Sequence, residues 1–204
     1  MIAIVNYGLG NVLAIANIYK RLGIAAEIVD SPDALKNADR IILPGVGAFD
    51  WAMTRLNESG MRDQLEELVI GKRRPVLGIC VGMQMMAGRS EEGELPGFHW
   101  IDGEVRRFDE GSFTAKTCLP HMGWNDVAPK QNDSLFRGLD QQARFYFLHS
   151  YYFSPQRNAD VLAETDYNGQ FASSVQSENL FGVQFHPEKS HHWGIRLLQN
   201  FAEI

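Results

Sequence analysis

The sequence predicts an α/β protein: a doubly wound, mostly parallel sheet with antiparallel additions. Three patterns point to it. Up to about Gly88, short β-branched runs alternate with helical periodicity; beyond it, strand-like runs crowd together; and the chain closes on an amphipathic helix.

The first strand reads at 2–6. Residues 11–22 then place Val12, Ile15, Ile18, Tyr19 and Leu22 at helical spacing, with Asn11 in the N-cap position and Gly23 as a stop. A second strand falls at 26–29 and a third at 40–43, closed by Pro44-Gly45-Val46-Gly47. Residues 49–72 are helical in pattern with a break near Gly60, and 75–79 form the fourth strand. Strand, helix, strand in that order predicts right-handed crossovers and a site at the carboxyl ends of the strands. The runs 103–108, 144–149, 161–165, 171–175 and 180–185 read as antiparallel additions to the same core. Residues 191–204 put Trp193, Ile195, Leu197, Leu198 and Phe201 on one helical face.

A chain of 204 residues, 45% hydrophobic and 22% charged, suits one domain spanning 1–204. Its net charge of -6 offers no broad positive field for nucleic acid or an anionic membrane. No apolar run reaches the length of a membrane span, and Met1 to Asn6 reads as a strand, not a signal peptide. Two cysteines, Cys80 and Cys118, make no disulfide framework and fit a reducing compartment, so the expected location is the cytoplasm.

Cys80 stands between Gly78 and Gly82, after a buried-strand pattern and before a helical one. This is the pattern of a nucleophile elbow, a sharp turn that needs small residues two before and two after the nucleophile. It leaves Cys80 at a helix N-terminus, where the macrodipole favours a thiolate. A buried structural cysteine is the plainer alternative. Cys118, in Ala115 to Pro120, lies in strand-like sequence and reads as structural.

A thiol nucleophile needs a base, and the base needs a group that orients it. His186-Pro187-Glu188 supplies both at the end of an apolar run. Proline is expected to hold the backbone extended, so that His186 and Glu188 project from the same side. The other histidines compete less well: His191 and His192 open the last helix, His121 reads as loop and His99 as strand. Cys118 and His121 lack a second pair of ligands, so no metal is expected, and no other cofactor. The glycines of Pro44 to Gly47 let backbone N–H groups turn toward a ligand, so Val46 and Gly47, with the N–H of Val81, are assigned to an oxyanion hole; an ordinary glycine-rich strand-to-helix turn is the plainer alternative.

At this point the residues resemble a known family, the class I (triad) glutamine amidotransferases, with Gly78-Ile79-Cys80-Val81-Gly82 and a later His186-Pro187-Glu188. Narrower marks resemble its histidine-biosynthetic branch: Asn6-Tyr7-Gly8-Leu9-Gly10-Asn11, Gly82-Met83-Gln84, Pro120-His121-Met122-Gly123-Trp124-Asn125, Phe145 to Tyr152, and Lys189-Ser190. The resemblance covers essentially the whole chain. It implies a flavodoxin-like fold, hydrolysis of glutamine by Cys80, His186 and Glu188, and a β/α-barrel synthase as the partner that uses the ammonia. It further implies that Gly45, Gln84, Glu92, His149, Ser150 and Tyr151 bind glutamine, and that Asn11 and Trp124 face the synthase.

Two departures, the bulky Gly97 to Ile101 stretch and His191-His192-Trp193, keep open a paralogous branch that resembles suppliers of ammonia for amidino sugars of surface polysaccharide. Two readings from other classes remain. Gly8-x-Gly10 after a strand, with Asp30 about 20 residues on, is a partial dinucleotide fingerprint that has Leu13 where a third glycine belongs. A stand-alone cysteine hydrolase or redox sensor would use Cys80 without a partner. Met83, Met85 and Met86 read as core filler.

Overall fold

The computed structural model describes residues 1–113, 117–130, 134–139 and 142–204. Its main sheet has eight strands: β1 (Ile2–Val5), β2 (Ala26–Val29), β3 (Arg40–Gly45), β4 (Val76–Cys80), β8 (Ala128–Pro129), β11 (Val161–Asp166), β12 (Gln170–Ser177) and β13 (Leu180–Val183). They lie in the order β2-β1-β3-β4-β13-β12-β11-β8, and the first five run parallel. Every residue of β1, β4 and β13 is buried, as a parallel sheet covered on both faces requires.

The helices are α1 (Val12–Leu22), α2 (Pro32–Leu35), α3 (Phe49–Glu58), α4 (Arg62–Glu66), α5 (Val81–Gln84) and α6 (His191–Glu203). In α1 the periodic residues Ile15 and Tyr19 are fully buried, and Tyr19 Oη donates to the Leu198 carbonyl of α6 at 3.0 Å. Gly23 ends α1 in the left-handed conformation (φ 69°), where a Cβ would be strained. Asn11 holds the N-cap position without a side-chain capping bond. Gly60 (φ 71°) separates α3 from α4, as the break in the pattern predicts. Met83, Met85 and Met86 are core residues.

The second half departs from expectation in three ways. β13 is parallel to β4, not antiparallel, so the strand leading to His186 runs beside the strand leading to Cys80, and both residues emerge at one end of the sheet. Two of the expected additions belong to smaller sheets: β6 (Gly103–Arg107) lies between β5 (Arg89–Ser90) and β10 (Tyr151–Pro155), while β9 (Arg144–His149) pairs antiparallel with β7 (His121–Asp126). Cys118 is exposed and lies in no strand; residues 114–116, in the stretch expected to hold it, are outside the described residues.

β3 and β4 place Gly45 directly opposite Cys80, and here backbones touch. A Cβ on Gly45 would stand 2.6 Å from the Gly82 nitrogen, one on Gly78 would stand 2.6 Å from the Gly82 oxygen, and one on Gly82 would collide with the Leu43 carbonyl. No side-chain rotation relieves an overlap with backbone. Gly82→Ala is therefore expected to cost about 3 kcal/mol. Gly71→Ala, with nothing near its Cβ, should stay within roughly 0.5 kcal/mol of the parent in the same denaturant titration.

Candidate active site

Cys80 closes β4 with φ 55° and ψ -114°, a strained geometry for a residue with a Cβ, and is 4% exposed. The helix it opens runs only four residues, so its dipole is weaker than the sequence pattern suggests. Electrostatic support comes instead from His186.

β13 stops at Val183, and His186 is held beyond the strand by its N–H donating to the Tyr146 carbonyl at 2.8 Å. Pro187–Lys189 is not extended but forms one 3-10 turn, because proline's fixed φ and missing N–H suit the first position of a helical turn. That turn brings Glu188 Oε1 to 3.0 Å from His186 Nδ1, with both side chains at most 3% exposed. Burial disfavours the imidazolium, but hydrogen bonds to Cys80 and Glu188, and their charges, outweigh it and raise the His186 pKa to about 10. The pairing with Cys80 and Glu188 thus favours the protonated imidazole.

A cavity of about 320 Å³ opens over these residues. Cys80 and His186 line it together with Val46, Gly47 and Val81 from the expected oxyanion hole. Gly47 has φ +88°, and among the described residues neither Val46 nor Gly47 spends its N–H on a backbone acceptor. The N–H of Val81, first in its helical turn, has no intrahelical acceptor. Gln84, Glu92, His149, Ser150 and Tyr151 also line the cavity. Gly45 does not; it is packed on Gly82 beneath the wall. Asn11, exposed at the start of α1, and Trp124, stacked on His191 with ring centroids 5.1 Å apart, lie outside it.

The lining residues divide by what their polar atoms are free to do. Glu92 is half-buried, which raises its carboxyl pKa against the opposing hydrogen bond from the Phe49 N–H. Gln84 spends its amide hydrogens on the Tyr151 carbonyl and on Gln184 Oε1, both at 3.0 Å. His149 Nδ1 lies 2.8 Å from the Tyr151 carbonyl, which can only accept, so that nitrogen carries the hydrogen. His149 Nε2 therefore accepts, from His121 Nδ1 at 3.0 Å, and His121 Nε2 in turn accepts from Asn125 Nδ2 at 3.2 Å. Both imidazoles are neutral: burial lowers the His121 pKa to about 4, and burial with the neighbouring histidine lowers that of His149 to about 3. Gln84 and His149 thus shape the wall with their hydrogens already committed.

Sequence reasoning places His121 in a loop, His99 in a strand, and gives Gln184 no role. In the structure His121 opens β7, 3% exposed and stacked between Tyr167 and Phe147, while His99 sits exposed outside any strand. Gln184 is fully buried with Nε2 3.7 Å from Cys80 Sγ. Pro120, Leu148 and Lys189 complete the cavity lining. Among the described residues no cluster of metal-ligating side chains occurs, and no helix is long and apolar enough to cross a membrane.

Residues 3–204 match the family described as Glutamine amidotransferase class-I. The imidazole glycerol phosphate synthase subunit HisH of Bdellovibrio bacteriovorus is 55% identical over 204 residues, with all of both chains covered. The protein named subunit HisH 2 of Pseudomonas aeruginosa is 45% identical over the same full lengths. Among solved structures, a crystal structure described as a glutamine amidotransferase superposes with a TM-score of 0.75 at 20% identity, covering 100% of this chain and 99% of the other, a likeness of fold.

The neutral histidine pair makes the fold acid-sensitive. Below about pH 6.5 the unfolded chain gains protons that folded His121 refuses until about pH 4, so stability present above 6.5 is lost as pH falls through this window. His121→Phe should flatten the acid limb of stability against pH by up to about 1.4 kcal/mol per pH unit, read from denaturant midpoints between pH 4 and 6.5.

Proposed function

The chain belongs to the class-I glutamine amidotransferases, and on that premise we propose that it is the glutaminase subunit of an imidazole glycerol phosphate synthase, with Cys80, His186 and Glu188 as its catalytic triad. One observation carries this reading: Cys80 and His186 line a single cavity with uncommitted backbone N–H groups, and a buried carboxylate holds the far side of the imidazole.

The Cys80 sulfur attacks the side-chain amide carbon of glutamine, and the carbonyl oxygen takes the negative charge. N–H groups of Val81 and of the Val46 to Gly47 turn receive that oxyanion; each such donor typically contributes about 100- to 1000-fold in rate. His186 gives its Nε2 proton to the amide nitrogen, the C–N bond breaks, and ammonia leaves a thioester on Cys80. Water then loses a proton to the neutral imidazole and adds to the thioester carbon. The C–S bond breaks, glutamate departs, and thiolate and imidazolium are restored. Glu188 keeps Nδ1 protonated throughout and offsets the imidazolium charge.

Glu92 suits the α-ammonium of glutamine, and Ser150 and Tyr151 the rest of its head group, with Gln84 and His149 as scaffold. Residues 1–204 act as one domain in the cytoplasm, with no metal or other cofactor. Ammonia passes to a β/α-barrel synthase subunit that makes imidazole glycerol phosphate and aminoimidazole carboxamide ribotide. Asn11 and Trp124 face that partner, and exposed Met122, paired across the strands with the cavity-lining Leu148, adds apolar surface beside the cavity.

Glutamate release should be weak for the chain by itself and strongly stimulated by a histidine-pathway barrel subunit with its nucleotide ligand. Cys80→Ala should abolish glutamine-dependent turnover of the complex and spare turnover driven by added ammonia; loss of both would refute the division of labour. If the barrel does nothing while a glutamine-analogue electrophile still labels Cys80, the triad stands and the surface-polysaccharide branch becomes the better assignment.

A further inference from the structure

Gln184 lies outside the triad, yet it is fully buried and its side chain reaches the nucleophile, with Nε2 3.7 Å from Cys80 Sγ. Which end of a glutamine amide is nitrogen is decided by its neighbours, and here they leave one answer. The Tyr151 carbonyl can only accept, so the Gln84 atom 3.0 Å away from it is the NH2 nitrogen. The second hydrogen of that group meets Gln184 at 3.0 Å, which makes the Gln184 atom there its oxygen. The Gln184 NH2 must then be the end that faces the sulfur. The backbone is pinned as well, since the Gln184 N–H donates to the Ser173 carbonyl at 2.9 Å.

A fully buried donor held in this way toward a sulfur atom has a chemical use. A thiolate removed from water needs hydrogen-bond donors, whereas a neutral thiol or a thioester needs them far less. His186 supplies a charged partner to the sulfur. A second cation would compete with the imidazolium for the same anion and raise the cost of burying charge; a neutral amide solvates the sulfur without that penalty.

We propose that Gln184 belongs to the reaction centre: its Nε2–H donates to the Cys80 thiolate and, together with the His186 imidazolium, keeps the sulfur ionised and aimed into the cavity. The proposal rests on reading Cys80 as the nucleophile. The donor acts twice in the cycle, on the resting thiolate and on the thiolate expelled when the thioester breaks. Gln84 is its positioning residue, because without the Gln84 amide nothing fixes which end of Gln184 meets the sulfur. A glutamine that merely filled the core would contribute to stability and leave the ionisation of the thiol untouched.

The pH dependence of Cys80 alkylation separates the two roles. The full-length chain carrying Cys118→Ser keeps one thiol, and its rate of modification by iodoacetamide is followed by mass from pH 5 to 10. Gln184→Met, similar in volume but without a donor, is expected to raise the midpoint by about one pH unit and slow alkylation at neutral pH about ten-fold. Gln184→Glu, which puts an anion beside the sulfur, should raise it further. Folded variants whose midpoints match the parent would overturn the proposal. Should Gln184→Met not fold, the uncharged Gln184→Asn, whose shorter side chain withdraws the amide from the sulfur, is read in the same way. A parent thiol that alkylates at neutral pH no faster than the denatured chain would instead overturn the assignment of Cys80 as nucleophile.

Discussion

The contact on which the site depends is one between backbones. β3, β4 and the first turn of α5 approach so closely at Gly45, Gly78 and Gly82 that none has room for a Cβ, and this closeness holds Cys80 at φ 55°. Strain at a single residue persists only when its surroundings over-determine it. Here the surroundings are fully buried strands, which cannot shift without opening the sheet. The direction of the Cys80 side chain is therefore a property of the sheet and not of a mobile loop.

The second half of the site is attached to the first by topology. β13 runs parallel to β4, so the chain delivers His186 to the end of the sheet where Cys80 already stands. The His186 to Glu188 pair is buried from solvent on both sides. Burying such a pair is costly in isolation, and hydrogen bonds on each ring nitrogen's side are what make an imidazolium tolerable there. In the structure these come from Glu188 and Cys80.

What the sequence makes legible follows from what local patterns encode. The alternation of strands and helices in the first half, the Gly60 break and the glycine-flanked cysteine all depend on neighbours within a few residues, and periodicity reports them. The direction of β13 does not, since a buried apolar strand reads the same whichever way its partner runs. His121 escapes as a strand residue because Gly123 and the polar Asn125 share its face of β7 and hide the apolar alternation. Gln184 looks like one polar residue in an apolar run, and only the arrangement of Gln84, Tyr151 and Cys80 around it gives it a direction. The turn at Pro187 is a subtler case: proline restricts φ to a value shared by extended chain and helical turns, and the structure takes the turn.

One wall of the cavity is an insulator. In the string from Asn125 through His121 and His149 to the Tyr151 carbonyl, each ring nitrogen is committed either to giving or to accepting one hydrogen, and neither ring is charged. Such a string can neither conduct a proton out of the cavity nor lend charge to what lies inside it. In the proposed reaction ammonia is released beside this wall, and a wall with no proton to spare helps it remain uncharged, the only form in which it is a nucleophile.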